Sequence, residues 1–81
     1  MPTVHRIESF RFFFFSNEGN EPMHIHVESG GRYAKFWLNP VQVAKSVGYN
    51  ARELNKLRKM ILENLAFFEE QWYGFFGRKN G

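Results

Sequence analysis

The order of apolar and polar residues along the chain predicts three β-strands in its first half. Residues 7–15 are rich in aromatic side chains at both even and odd positions, so both faces of a strand here would be apolar. This predicts a strand that is central in a sheet or covered on both faces. Residues 16–22 contain turn-forming residues and are predicted to form a loop. Residues 23–29 alternate between apolar and polar, which predicts a half-buried strand with a polar outer face. Residues 32–38 are the predicted return strand, because Ser29-Gly30-Gly31 is typical of a hairpin turn.

The segment after the third strand has the signals of a short helix. Asn39 is a favoured N-cap residue, and Pro40 is favoured at the first helical position. Gly48 is a typical helix stop. We therefore predict a short helix over residues 40–47.

A longer helix is predicted for the C-terminal third of the chain. Residues 50–53 resemble a capping box with Asn in place of Ser or Thr. The apolar residues that follow, at steps of three and four, form one stripe: Leu54, Leu57, Ile61, Leu65, Phe68 and Trp72. We expect Gly74 or Gly77 to end this helix and residues 78–81 to fray.

These elements together predict an α+β fold with the order β-β-β-α-α. It consists of a three-stranded antiparallel meander, a short helix and a long C-terminal helix packed on the sheet. With 81 residues the chain is long enough for one domain, over residues 1–81, and too short for two.

Composition narrows the class of protein. The absence of cysteine excludes disulfides, thiolate metal sites and a cysteine nucleophile. The longest uninterrupted apolar run, residues 12–15, is far shorter than the ~20 residues of a membrane span. No apolar stretch typical of a signal peptide follows Met1. We therefore expect a cytoplasmic protein that has no membrane contact.

Positive charge is concentrated in one segment of the chain. Residues 1–40 carry four basic and four acidic side chains, whereas residues 41–60 carry five basic residues and only one acidic residue. Residues 61–81 carry two basic and three acidic residues. A basic cluster of this kind suits an anionic partner, although a solvated helix face has the same composition.

The second strand and its return strand carry a group of residues able to transfer protons. A separation of two residues puts the imidazoles of His24 and His26 on the same face of a strand. Histidine can act as a base or an acid near neutral pH. A metal-independent ribonuclease needs a base, an acid and a cation for the phosphate transition state. The candidate catalytic residues are His24, His26, Glu28, Tyr33 and Lys35. A polar sheet face or a partner-binding surface has the same pattern, and a zinc site would have a minimal ligand set, so we predict no metal and no cofactor.

Residues 40–60 resemble a helix–turn–helix. Ala44 and Gly48 are four apart, and Leu54 and Leu57 follow at the spacing of that motif. In a DNA-binding protein the second helix enters the major groove with its N-terminal residues. The candidate nucleic-acid-binding residues are Lys45, Asn50, Arg52, Asn55, Lys56 and Lys59.

The C-terminal aromatic residues exceed what one helix stripe can bury. A helix that is apolar on more than one side is buried on more than one side, which predicts a homodimer or a stable contact with another protein. The candidate partner-binding residues are Trp37, Phe67, Trp72, Tyr73, Phe75 and Phe76.

Several stretches of the chain resemble a family of short bacterial proteins. They are residues 1–3, 10–15, 16–27 and 33–40, together with Glu53-Leu54, and the most specific part is the Pro-x-His-x-His-Val sequence that starts at Pro22. On these residues the chain is similar to the domain-of-unknown-function family four-one-six-zero. Many relatives have Asp-His where Glu18-Gly19 stand here, so a site that needs a third histidine is not expected in this chain.

The resemblance implies a context rather than a reaction. Members of the family often look like halves of two-gene modules, with a second small protein beside them, in the manner of toxin–antitoxin pairs. Our first hypothesis is therefore a small binding protein that acts through the protein encoded by a neighbouring gene, and also through DNA or RNA. The alternatives are a ribonuclease-type toxin that uses His24 and His26, and a DNA-binding autoregulator that uses residues 40–60; whether the chain is an enzyme stays open at this point.

Overall fold

The protein folds into one antiparallel sheet followed by two helices. The computed structural model describes residues 3–15 and 20–77. The strands are β1 (Thr3–Ile7), β2 (Phe10–Phe13), β3 (His24–Ser29), β4 (Arg32–Leu38) and β5 (Val41–Val47), and the helices are α1 (Ala51–Glu63) and α2 (Leu65–Phe76). The strands lie in the order β1-β2-β3-β4-β5, each antiparallel to its neighbour. The class is α+β as predicted, but the three-stranded meander is wrong, because the sheet has five strands.

The first additional strand lies at the N-terminus. Residues 7–15 were predicted as one strand, but the chain turns at Glu8, which has a φ of +56°, and Ile7 pairs with Phe10 across the resulting hairpin. β2 therefore lies between β1 and β3, in agreement with the prediction of a central strand. Glu-Ser is not a common sequence for such a turn, which is why the break was missed.

The second additional strand replaces the predicted short helix. Residues 41–47 form β5, and Asn39 and Pro40, joined by a cis peptide bond, form the turn that precedes it. Val41, Val43 and Val47 are β-branched residues, which favour strands over helices. The prediction of a helix over residues 40–47 is therefore wrong, and the predicted helix–turn–helix loses its first helix.

The C-terminal part of the chain forms two helices where one was predicted. Asn50 caps α1 through the predicted capping box. The side chain of Asn50 accepts a hydrogen bond from the backbone N–H of Glu53, and the carboxylate of Glu53 accepts one from the backbone N–H of Asn50. Asn64 interrupts the helix with a φ of −116° and a ψ of 18°, and its side-chain amide donates to the carbonyl oxygen of Met60. Asparagine competes for backbone hydrogen bonds in this way, which favours a helix end. Gly77, one of the two predicted stops, ends α2.

The main core lies between the helices and one face of the sheet, called the inner face. Phe12, Val27 and Ala34 lie side by side on this face in three neighbouring strands, and Phe12 packs against Phe68 of α2 with ring centroids 5.1 Å apart. All six residues of the predicted helix stripe lie in this core or against it. Residues 16–19 of the predicted loop and the predicted frayed tail, residues 78–81, lie outside the described residues.

Gly48 combines a backbone conformation that disfavours a side chain with a lack of space for one. Gly48, which leads from β5 towards α1, has a φ of +89°, and an added Cβ would lie 2.7 Å from Cγ of Arg32. We expect Gly48→Ala to lower the free energy of unfolding by about 1–3 kcal/mol. Gly74, in the interior of α2, has no atom within 4 Å of an added Cβ.

The matched control for Gly48 is therefore Gly74→Ala, which should raise the free energy of unfolding by about 0.5–1 kcal/mol, because alanine favours the helix. Urea denaturation followed by circular dichroism measures both variants. Equal effects of the same sign at the two glycines would contradict the backbone conformation described for Gly48.

Neither α1 nor α2, the helices of the described part of the chain, has the length and apolar composition that crossing a bilayer requires. The cytoplasmic location stays a prediction.

Candidate functional site

The face of the sheet opposite the helices, called the outer face, carries all five candidate catalytic residues. Strand register arranges its side chains in rows across the sheet. One row runs from Arg11 through Glu28 to Tyr33, and the next from Phe13 through His26 to Lys35. A third row contains His24 beside Trp37. The alternation seen in the sequence therefore brings the predicted residues together on one surface.

The two histidines on this face are buried, which corrects the prediction of a solvent-facing polar surface. The exposed fraction is 0% for His24 and 1% for His26. Phe13 stacks on the imidazole of His26 at 5.3 Å between ring centroids, and Phe15 meets the same ring edge-on at 4.5 Å. Trp72 of α2, a member of the main core, also contacts the imidazole of His24, with ring centroids 5.0 Å apart. Aromatic side chains thus form a second packed layer on the outer face.

Hydrogen bonds hold both imidazoles in place. Nδ1 of His24 donates to the carbonyl oxygen of Pro22 at 2.9 Å. Because a carbonyl oxygen can only accept, this nitrogen carries the proton. Nδ1 of His26 shares a hydrogen bond of 2.6 Å with the hydroxyl of Tyr33. Tyr33 is half-buried, so its hydroxyl is the group through which His26 could exchange a proton with a bound molecule.

The charged members of the candidate set are ion-paired. Glu28 accepts from Arg11 at 2.5 Å, and Lys35 donates to Glu21 at 2.9 Å. The ammonium group of Lys35 also lies 4.6 Å from the centre of the Trp37 ring. Proton transfer along the pair His26–Tyr33 is chemically feasible. Direct contact of either imidazole with a substrate is not favoured, because neither has exposed surface.

No three histidine, aspartate or glutamate side chains in residues 3–15 and 20–77 lie close enough together to hold a metal ion. His24 and His26 contact each other edge-on at 5.0 Å between ring centroids, and Glu28 is occupied by Arg11.

The structure separates one candidate nucleic-acid-binding residue from the other five. Lys45 lies on β5 opposite Lys35, whereas the other five lie on α1 or at its N-terminus. The side chain of Asn50 is used in the capping box. Lys56 is paired with Glu8 at 3.0 Å. The structure therefore separates Lys45 from the basic residues of α1, and nucleic-acid binding by these residues stays a prediction.

The candidate partner-binding residues also separate into two groups. Trp72 is buried, and Trp37, Tyr73 and Phe76 are half-buried against the aromatic layer or the core. Phe67 and Phe75 are the two exposed members of the set. Packing within the chain, mainly in or against the main core, therefore accounts for four of the six residues, and the partner contact stays a prediction.

Sequence reasoning missed two surface features. The first is the outer edge of β5 with an apolar groove beside it, for which the alternation of Val41 and Val43 was the available signal. The second is a cleft that contains Arg6, Arg11 and Arg32. No local spacing indicates this cleft, because its arginines come from three strands that only the sheet brings together.

Comparisons with known proteins identify a family but no relative of known activity. Residues 9–73 match a family model whose description is a domain of unknown function. No curated protein and no solved structure matches the chain.

Proposed function

Since the chain belongs to the domain-of-unknown-function family DUF4160, we propose that it is a small binding protein and one component of a two-gene, toxin–antitoxin-like module. We propose that it holds its protein partner by accepting a strand of that partner at the edge of β5. The observation that supports this proposal is the exposure of β5: six of its seven residues are exposed.

Beyond Val41, whose carbonyl oxygen accepts a hydrogen bond from Arg58 of α1, the backbone of β5 has an open hydrogen-bonding side. β5 is the last strand of the sheet and pairs only with β4 among the described strands. An edge strand presents unpaired N–H and C=O groups, to which an extended segment of another protein can add as a further strand. Main-chain hydrogen bonds supply affinity in this mode of binding, and pockets for alternate side chains supply specificity.

A groove beside β5 provides such pockets. It has a volume of about 770 Å³ and lies between the start of β5 and the two helices. Its apolar lining includes Leu38, Val41, Val43, Leu62 and Leu65. Val43 and Leu62 are exposed although they are large and apolar. Alternate apolar side chains of an added strand would cover this surface.

Charge indicates that the added strand comes from a different, acidic protein. Lys45 lies in the middle of β5, and Arg58 lines the groove. Ala44 is an extra residue in β5, because Lys35 pairs with Lys45 while Phe36 pairs with Val43. A lysine and a bulge at an edge oppose pairing between two identical edges. We therefore infer that the occupant is an extended segment that alternates apolar and acidic residues.

We expect Val43→Glu to weaken partner binding at least tenfold, since it places a carboxylate in the apolar groove, a loss of about 1.4 kcal/mol or more. The measurement is isothermal titration calorimetry with the product of the adjacent gene. Phe75→Glu is the matched control, because Phe75 is 44% exposed and Val43 is 46% exposed. It should leave the affinity within about twofold, as expected for a residue outside the interface.

Hydrogen exchange gives an independent measurement of the same proposal. On complex formation, amides of residues 41–47 should become protected, and those of α2 should not. Protection of α2 together with a loss of affinity in Phe75→Glu would contradict the proposal, as would formation of a homodimer through β5 in the absence of the partner.

A further inference from the structure

Three arginines from separate parts of the chain line one cleft at the end of the sheet that carries the β3–β4 turn, called the arginine cleft. Arg6 comes from β1, Arg11 from β2 and Arg32 from the start of β4. The cleft has a volume of about 430 Å³. The glycines of the β3–β4 turn, Gly30 and Gly31, form another part of its wall.

The charges in the cleft are not balanced. Arg6 lies directly opposite Arg11 on the neighbouring strand, and like charges in this position repel each other. Among the described residues of the lining, Glu28 is the only acidic one, and it is paired with Arg11. Arg32 is paired with Glu53 of α1, outside the lining. Arg6 is exposed and makes no ion pair with any described residue. An anion bound in the cleft would compensate the charge of Arg6, since Arg11 and Arg32 are already ion-paired.

We propose that the arginine cleft binds the phosphate group of a nucleotide, either free or within single-stranded RNA. The planar guanidinium group of arginine donates two parallel hydrogen bonds, a geometry that fits phosphate oxygens. Several arginines around one anion are typical of phosphate sites. This inference goes beyond the proposed partner binding and uses different residues.

Tyr33 adds an aromatic ring to the positive charge of the cleft. Tyr33 lines the cleft, and the hydrogen bond between its hydroxyl and Nδ1 of the buried His26 holds the ring in place. The Tyr33 ring is half-buried with His26 stacked on one side, and a base can stack on an aromatic ring of this kind. The glycine turn lets a ligand approach the backbone without meeting a side chain.

The test is binding of a fluorescein-labelled single-stranded RNA oligonucleotide, followed by fluorescence anisotropy over a range of salt concentrations. We expect Arg6→Ala to weaken binding about fivefold to tenfold, as for loss of a hydrogen bond to a charged group near solvent. The slope of log affinity against log salt should become shallower by about 0.7, the value for one phosphate contact of a single strand. Arg6 is chosen because removing an exposed side chain leaves the core intact.

Gln71→Glu is the matched control. Gln71 is an exposed residue on α2, outside the cleft, and the variant changes the net charge by the same amount. The affinity of this variant for the labelled RNA should stay within about twofold of that of the unmodified protein, because exposed charges at a distance from the cleft are screened by salt. Equal weakening by both variants would show general attraction to positive charge and would overturn the proposal, as would the absence of binding by the unmodified protein.

Competition identifies the source of the phosphate. If adenosine monophosphate or inorganic phosphate displaces the labelled RNA, and Arg6→Ala weakens the binding of these competitors as well, the cleft is assigned to free nucleotides. Binding of the RNA alone, again dependent on Arg6, assigns it to single-stranded chains. Val43→Glu should leave RNA binding unchanged, so that this proposal and the proposed partner binding fail separately.

Discussion

Replacement of Phe68 by alanine should lower the free energy of unfolding by about 3–5 kcal/mol, the usual cost of removing a fully buried aromatic side chain. Phe68 is 0% exposed and packs against Phe12 in the centre of the core between α2 and the sheet. A chain of 81 residues is expected to have a total stability of only about 4–12 kcal/mol. The variant should therefore lose much of its stability at 25 °C, measured by urea denaturation with circular dichroism.

The neighbouring residue provides the control for this prediction. Phe67 lies on the same helix and is 41% exposed. Its ring contacts His5 and Phe68 at the margin of the core. Phe67→Ala removes the same atoms, yet it should cost only about 1–2 kcal/mol, because Phe67 is 41% exposed and its removal leaves no enclosed cavity. Similar losses for the two variants would show that α2 does not present this face to the sheet.

His26→Ala should lower the free energy of unfolding by about 2–4 kcal/mol, which is large for the removal of a polar side chain. The imidazole of His26 fills the space between Phe13, Phe15 and Tyr33. Its removal leaves a cavity in the aromatic layer and takes away the hydrogen bond to the Tyr33 hydroxyl. Urea denaturation of the purified variant measures this loss.

His5→Ala is the corresponding control for His26. The His5 imidazole is half-buried, and its ring centroid lies 5.0 Å from that of Phe67. Its removal should cost about 1 kcal/mol or less, as for a partly exposed side chain. If His26→Ala is as stable as His5→Ala, the outer face has no packed layer. A loss of activity in His26→Ala has to be interpreted together with its folded fraction, since the side chain stabilises the fold.

Local patterns predicted the elements whose geometry depends on a few consecutive residues. The turn at Ser29-Gly30-Gly31 forms as expected, because Gly30 and Gly31 have φ values of +52° and +79°. The capping box at Asn50 and Glu53 also forms as expected. In both places one or two side chains determine the backbone conformation, so the neighbouring sequence is sufficient.

The same kind of local reasoning failed between β4 and α1. Asn39-Pro40 is typical of a helix start, and it also suits a turn between two strands. The choice was decided by pairing: β5 forms hydrogen bonds with β4, and Arg58 of α1 donates to the carbonyl oxygen of Val41. These partners are distant in the sequence, so the segment 40–47 does not itself show which structure it adopts.

The candidate site shows a similar division. Alternation placed His24, His26, Tyr33 and Lys35 on one face, and the register of β3 and β4 brings them together. Whether that face meets water depends on side chains from other elements, above all Phe15 and Trp72. Aromatic residues at both parities of β2 were a signal that the outer face is covered, but the pattern of β3 alone indicated the opposite.

The sequence by itself determined the α+β class, the β3–β4 hairpin, the helix cap at Asn50 and the grouping of the histidines on one side of a strand. Only the tertiary structure decided that both faces of the sheet are packed, that residues 41–47 form an open edge, and that Arg6, Arg11 and Arg32 line one cleft. The physical reason is range: turns, caps and alternation depend on neighbouring residues, whereas burial and convergence depend on which distant segments the sheet and helices bring into contact.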